Sequence, residues 1–231
     1  MLKLIFIDID NTLLDFDEYV KTTLKDGFSH FGLKQYEPPM YDTFKSINDK
    51  LWLQIESGKL TFERLKEIRF NLIFDELGIE FNGPTFETYF REQLNESAIP
   101  VSGAYNMLNE LSKNYILCAA SNGPYAQQIH RLELANMDKY FSFIFVSEKV
   151  GVSKPHPGFF DYAFNEINSK RLDKITPEEC LIIGDSMTSD IAGGRNYGMK
   201  TCLYRRDTSK HIDSNMVDYI IDSLDEITAN L

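Results

Sequence analysis

Two aspartates spaced i, i+2, Asp8 and Asp10, follow an apolar run from Leu2 to Ile7 that only Lys3 interrupts. Such a run has the pattern of a buried strand. In extended chain i and i+2 share a face, so two carboxylates leave the strand end pointing the same way. Like charges that close repel, and a fold retains them when something offsets the charge. A divalent cation is the usual answer, and oxygen-only ligands suit Mg²⁺. Taken alone, Asp10-Asn11-Thr12 also reads as an ordinary acidic turn, so groups elsewhere in the chain have to decide.

Three such groups stand further along. Ser121-Asn122-Gly123 follows the apolar run Tyr115–Ala120 and offers a hydroxyl with backbone N–H groups near a helix start. Lys154 sits in Lys154-Pro155-His156-Pro157-Gly158, one cation flanked by rigid prolines. Gly184-Asp185-Ser186 ends a fourth apolar run, with Asp190 five residues beyond Asp185. Singly, each is a turn or a solvated charge. Together they bring acid, hydroxyl, cation and acid to successive strand ends, which is where open parallel sheets bind ligands. That set fits phosphoryl transfer. Asp8 and Asp185 can hold Mg²⁺, with the Asp10 main-chain oxygen as a further ligand. Mg²⁺ and Lys154 neutralise a phosphate whose oxygens meet Ser121 and nearby amides. One aspartate is then available to attack phosphorus, and the other to move a proton to the leaving alcohol and from water.

The elements that must position these groups fall into two rhythms. From about Phe16 to Phe90 apolar residues recur at helical spacing, in four helices. The breaks fall at Gly32, at Pro38-Pro39, at Gly58, at Gly78 and at Asn82-Gly83-Pro84, and Thr61 is placed to cap the third helix. From Pro100 onward helices and strands alternate: helix Ala104–Ser112, strand Tyr115–Ala120, helix Tyr125–Ala135, strand Phe143–Val146, helix Pro157–Ile167, strand Cys180–Ile183, helix Thr188–Tyr197 and strand Thr201–Tyr204. Thr176-Pro177-Glu178-Glu179 has the capping-box pattern. Tyr219–Ile221 and a terminal helix from Ser223 close the chain. The expectation is an α/β protein, a doubly wound, Rossmann-like parallel sheet formed by residues 1–14 and 99–231, with an all-helical domain of residues 15–98 inserted after the first strand.

Composition narrows the partners. Among 231 residues the formal charge is −11, with 43% hydrophobic and 13% aromatic residues. An acidic chain argues against nucleic acid polymers, which are held by cation–phosphate contacts, but not against a small phosphorylated substrate held by local cations. The termini carry no signal pattern and no run approaches a membrane span, so a cytoplasmic protein without membrane partners is expected, monomeric or dimeric. Cys118, Cys180 and Cys202 are scattered and are read as reduced core residues, with no zinc cluster.

The four motifs Asp8-Ile9-Asp10-Asn11-Thr12, Ser121-Asn122-Gly123, Lys154-Pro155 and Gly184-Asp185-Ser186 with Asp190 resemble those of the haloacid dehalogenase (HAD) superfamily of Mg²⁺-dependent phosphatases. The resemblance implies Asp8 as nucleophile and Asp10 as general acid/base. Ser121 and Lys154 would bind the phosphoryl group, together with Thr12, Asn122 and Gly123. Asp8, Asp10 through its main chain, and Asp185 would hold Mg²⁺. Ser186 and Asp190 would support them, Asp190 by orienting Lys154 or a metal water. The helical insertion would be the cap that selects the substrate. Asp10 argues for phosphate ester hydrolysis over 2-haloacid dehalogenation, which has no alcohol to protonate. Ile47–Trp52, Glu56–Leu60, Arg69-Phe70 and Val146–Pro155 resemble the bacterial pyrimidine 5′-nucleotidase group, which implies a nucleoside 5′-monophosphate substrate. A sugar-phosphate or phosphoglycolate-type phosphatase, a phosphomutase, or a regulatory protein that kept the fold are the competing readings. Trp52, Lys59, Arg69 and Phe70 are open to substrate contact, whereas Arg205-Arg206 reads as a surface pair and His156 as non-catalytic.

Overall fold

The computed structural model describes residues 1–208, 212 and 214–227. The chain divides into two compact units, Met1–Asp15 with Ala98–Leu231, and Phe16–Ser97. Strand β1 (Leu4–Ile7) opens the first unit, and the second follows at once as α1 (Phe16–His30), α2 (Pro39–Glu56), α3 (Phe62–Leu77) and α4 (Gly83–Asn95). The first unit then continues through α5 (Ala104–Leu111), β2 (Ile116–Ser121), α6 (Tyr125–Leu134), β3 (Phe143–Val146), α7 (Ser147–Val150), α8 (Pro157–Ser169), β4 (Cys180–Gly184), α9 (Ala192–Tyr197), β5 (Lys200–Tyr204) and β6 (Tyr219–Ile221).

The helical unit is built from local signals and aromatic packing. Thr61 Oγ1 caps α3 by accepting from the Arg64 N–H, and Gly78 ends that helix at φ +63°, a conformation open to glycine. Asn82 caps α4 through the Thr85 N–H. Phe28, Phe44, Phe70, Phe74, Phe86 and Phe90 are all buried and meet at centroid distances such as 4.7 Å for Phe70–Phe86 and 5.2 Å for Phe70–Phe90. Arg69 is buried among them. Its guanidinium grips Glu87 at 2.7 and 3.0 Å and donates to Asn48 Oδ1 at 3.0 Å. Sequence spacing leaves Arg69 open to substrate contact, but its fork is committed to a neighbour on α4, the geometry that best offsets the cost of burying a charge pair. Trp52 is half-buried against Phe62, with centroids 5.9 Å apart.

In the first unit the six strands are parallel, in the order β3-β2-β1-β4-β5-β6. Alternate residues of β1 enter two different cores. Ile5 and Ile7 pack with Leu117, Leu181 and Ile183 beneath α5 and α6 residues such as Leu108 and Leu132. Leu4 and Phe6 pack with Cys118 and Ile182 beneath Phe159, Phe160 and Phe164 of α8. A strand buried on both faces needs a continuous apolar run, which is the pattern of Leu4–Ile7. Ile7 lies level with Ala119 of β2 and with Ile183 of β4. This register brings the carboxyl ends of three neighbouring strands to one edge, where the chain order switches sides around β1.

The structure refines four elements. Residues 188–197 form a one-turn π segment, Met187–Ile191, before α9 rather than one α-helix. The polar stretch after β3 contains the short helix α7. Ser121 is the last residue of β2. From Ser223 the described residues form a 3₁₀ turn, Leu224–Glu226, and the remainder of the expected terminal helix lies outside the described residues. Cys118, Cys180 and Cys202 are buried free thiols, and burial pushes the Cys118 thiol well up. No helix among the described residues is long and apolar enough to cross a membrane.

Candidate active site

Lys154 is the centre of the strand-end cluster. Its side chain is 1% exposed, and its three ammonium hydrogens are all used. They reach Asp8 Oδ1 at 2.8 Å, Asp190 Oδ1 at 2.6 Å and the Ala120 carbonyl at 2.5 Å. Burial alone would push this lysine down, but the Asp190 and Asp8 carboxylates more than offset it and hold the ammonium above its ordinary range. Asp8 is pushed up to about 7, first by burial and then by Asp190 and Asp10, with Lys154 pulling the other way. The Lys154 backbone is pinned from β2's end. Asn122 Oδ1 accepts from its N–H and Asn122 Nδ2 donates to its carbonyl, both at 2.8 Å.

Asp190 reaches the cluster from the π segment, a distortion common at functional sites. Ser186 starts that turn by accepting from the Ser189 N–H at 3.1 Å, and its own N–H donates to Asp190 Oδ2 at 3.2 Å. Both oxygens of Asp190 are therefore engaged. Gly184 makes this approach possible, since a Cβ there would lie 2.1 Å from Asp190 Oδ2. Gly184→Ala is expected to cost about 1–3 kcal/mol by displacing Asp190, read as a lower melting temperature; an unchanged melt would show that the turn relaxes freely.

Oxygens of Asp8, Asp185 and Asp190 lie within 4.8 Å of one another. An all-carboxylate donor set fits a hard divalent cation such as Mg²⁺; the upward displacement of Asp8 comes first from burial and then from the Asp190 and Asp10 charges.

Asp10 points to a different neighbourhood. Arg131 Nη1 donates to Asp10 Oδ1 at 2.6 Å, and Gln128 Nε2 donates to Asp10 Oδ2 at 2.7 Å. Gln128 Nε2 also donates to Ser121 Oγ at 2.8 Å, and its Oε1 accepts from Arg131 at 3.0 Å. Sequence reasoning found neither α6 residue. Their spacing of i, i+3 just after the Ser-Asn-Gly turn was the available signal, because it puts both on one helix face. The turn that follows Asp10 is made by Asn11 at φ +62°, a left-handed conformation asparagine tolerates.

The remaining expected residues are placed as follows. Thr12 is fully buried and its hydroxyl has no hydrogen-bond partner among the described residues. The Gly123 N–H donates to Ser147 Oγ at 3.1 Å and the Tyr125 N–H to Glu148 Oε2 at 2.8 Å, so α7 takes amides that an anion nest after Ser121 would have used. His156 caps α8 through the Gly158 N–H at 3.0 Å. Arg205 pairs with Asp222 at 2.7 Å on both nitrogens, on the surface as expected. Arg206 is nearly as exposed, 22% against 28% at the side chain, but it is tied inward and reaches the Asn11 carbonyl at 3.3 Å and Asp15 at 2.8 Å. It thereby braces the turn that carries Asp8 and Asp10.

The family model for haloacid dehalogenase-like hydrolases matches residues 4–204. The chain is 31% identical over 225 residues to the HAD-hydrolase YfnB of Bacillus subtilis strain 168, covering 97% of this chain and 93% of the relative. A crystal structure of that protein bound to magnesium, described as revealing interdomain movement, superposes with a TM-score of 0.89 at 32% identity, over 100% of this chain and 98% of the other. Pyrimidine 5′-nucleotidase PynA of Streptococcus pneumoniae R6 is 32% identical over 87% of this chain and 83% of its own. Pyrimidine 5′-nucleotidase YjjG of Escherichia coli K12 is 29% identical over 96% and 95%.

Proposed function

The chain belongs to the haloacid dehalogenase-like hydrolases, and on that footing we propose that it is a Mg²⁺-dependent phosphomonoesterase acting on nucleoside 5′-monophosphates through an aspartyl phosphate on Asp8. The observation that carries the reading is the buried Lys154 ammonium shared by Asp8 and Asp190, with the Asp10 carboxylate two residues from Asp8 and linked to Ser121. A fixed cation beside a carboxylate is the arrangement that attack on a phosphate dianion requires. Asp8 and Asp185 are the carboxylates we assign to Mg²⁺, with the Asp10 main-chain oxygen, because Asp190 is engaged by Lys154 and the Ser186 amide. Bound there, the ion supplies Lewis-acid neutralisation of the phosphoryl oxygens.

The residues divide the work. Asp8 attacks phosphorus. Asp10 gives a proton to the leaving oxygen and later takes one from the attacking water. Ser121 donates to a phosphoryl oxygen. Lys154 stabilises negative charge on the phosphoryl group, held for that task by Asp190 and by Asn122 at its backbone. We assign substrate selection to the helical unit, as its cap, in which Arg69 is a strut. A nucleotide substrate is supported by likeness to PynA and YjjG over most of the chain, and hydrolysis of an ester rather than a carbon–halogen bond by Asp10.

A phosphate-release screen over UMP, dUMP, dTMP, sugar phosphates and phosphoglycolate, with 2-chloropropionate as control, tests the proposal. Pyrimidine nucleotides are expected to give the highest kcat/KM, and EDTA to abolish turnover. A flat profile would reduce the reading to a general small-phosphate phosphatase, and chloride release without Mg²⁺ would overturn it.

A further inference from the structure

Gln128 joins the two halves of the site. Its amide is 2% exposed as a residue and sits between Asp10, Ser121 and Arg131. The chemistry of the partners fixes its orientation. A carboxylate only accepts, so the NH₂ must face Asp10; a guanidinium only donates, so the oxygen must face Arg131. The amide's two hydrogens then go to Asp10 Oδ2 and Ser121 Oγ. Ser121 is thus an acceptor on its Gln128 side, and its own hydrogen is left to be donated elsewhere. A glutamine held this way gives the serine hydroxyl one polarity, that of a donor, which is what a phosphoryl oxygen needs. Arg131, whose side chain is 1% exposed, engages the other Asp10 oxygen at 2.6 Å. With one donor on each oxygen, the Asp10 carboxylate cannot rotate about its own axis without losing a buried hydrogen bond.

We propose that Gln128 and Arg131 are positioning residues that fix the Asp10 carboxylate and set Ser121 as a hydrogen-bond donor, coupling leaving-group protonation to phosphoryl binding through one side-chain network. The proposal rests on the phosphomonoesterase reading above. The two residues share Asp10, but of the two it is Gln128 that also reaches Ser121, so they predict different kinetic signatures. Gln128 acts on both Asp10 and Ser121, and its loss must weaken phosphate binding as well as turnover. Arg131 acts on Asp10, and its loss must be felt most where the leaving group needs a proton.

The test uses the full chain with Mg²⁺. Gln128→Met keeps length and removes both amide functions, and Gln128→Glu keeps shape while leaving no hydrogen to give. Arg131→Met removes the guanidinium, and Arg131→Lys restores a cation. Calorimetry with inorganic phosphate, melting temperature, and kcat on UMP and on 4-nitrophenyl phosphate are measured for each. Gln128→Met is expected to weaken phosphate binding about tenfold, the scale of one lost hydrogen bond to a charged group, and Gln128→Glu at least as much. Arg131→Met is expected to lower kcat on UMP about tenfold more than on 4-nitrophenyl phosphate, whose leaving group departs unprotonated, with partial recovery in Arg131→Lys. Unchanged phosphate affinity in either folded Gln128 variant, or equal losses on the two esters, would overturn the proposal. A wild-type protein inert toward every phosphate ester with Mg²⁺ would instead sink the phosphomonoesterase reading, and this inference with it.

Discussion

Asp8→Asn is expected to abolish phosphate release, lowering kcat by about 10⁴-fold or more as loss of a nucleophile does, while making the Mg²⁺-free protein more stable. Both effects have one cause. Burial and the neighbouring Asp190 and Asp10 push the Asp8 carboxyl from 3.8 up to about 7, against the pull of Lys154. Between those two values the native state binds more protons than the unfolded chain, so stability falls as pH rises through the window and the cost is complete above pH 7. An amide has no charge to bury. At pH 8 in EDTA the variant should gain about 1–2 kcal/mol, or roughly 2–6 °C in melting temperature, and the gain should vanish near pH 4. Adding Mg²⁺ should reverse the order, because a bound ion stabilises the state that holds it and the variant has lost a carboxylate we assign to the ion. Melts at the two pH values with and without Mg²⁺ check this. An Asn variant that turns over normally would remove Asp8 from the chemistry, and equal melts at pH 8 would show that its charge is fully balanced by the protein.

The sheet was legible because its strands are buried on both faces. Leu4–Ile7, Ile116–Ala120 and Cys180–Ile183 must be apolar at every position, and a turn residue must follow each. The same logic pointed to Asp8, Ser121 and Asp185, since polar residues that interrupt such runs stand at the strand ends. Lys154 was legible for the two prolines that follow it, though not for its pinning by Asn122, a pairing 32 residues apart in sequence that only the fold creates. What stayed hidden were polar residues inside amphipathic patterns. Gln128 and Arg131 look like the solvated face of α6 until the helix is docked with that face inward. Arg206 looked like half of a surface pair because its partners, Asn11 and Asp15, lie almost the whole chain away. The π segment hid for another reason. Thr188–Tyr197 has helical spacing, and the wider first turn, from which Asp190 reaches Lys154, leaves no mark in that spacing.

Lys154→Met tests the other side of the same electrostatic balance, and the expected result has the opposite sign. Methionine matches the stem but not the charge, so Asp8 and Asp190 lose the cation lying 2.8 and 2.6 Å from them. Removing one partner of a buried ion pair costs about 3–5 kcal/mol, since the remaining charge keeps its desolvation and loses its compensation. In a chain of this length that is a fall of roughly 6–15 °C in melting temperature. The lysine's folded value lies above its ordinary 10.5, so its contribution is present in full at neutral pH and would be lost only as pH climbs past that range. The deficit of the variant should therefore be large at pH 8, where the stranded Asp8 carboxylate is charged, and shrink toward pH 4, where Asp8 is protonated. Mg²⁺ should recover part of it at pH 8, by supplying positive charge to Asp8 and Asp185. Turnover should not recover, because in the proposed mechanism the ion does not replace the fixed ammonium that Lys154 holds beside Asp8, and a loss of about 10²–10³-fold in kcat is expected. A variant that melts like wild type in EDTA at pH 8 would mean that Asp8 and Asp190 are held by something other than this lysine. One that melts low but turns over normally with Mg²⁺ would make Lys154 a strut of the fold and not a participant in phosphoryl transfer.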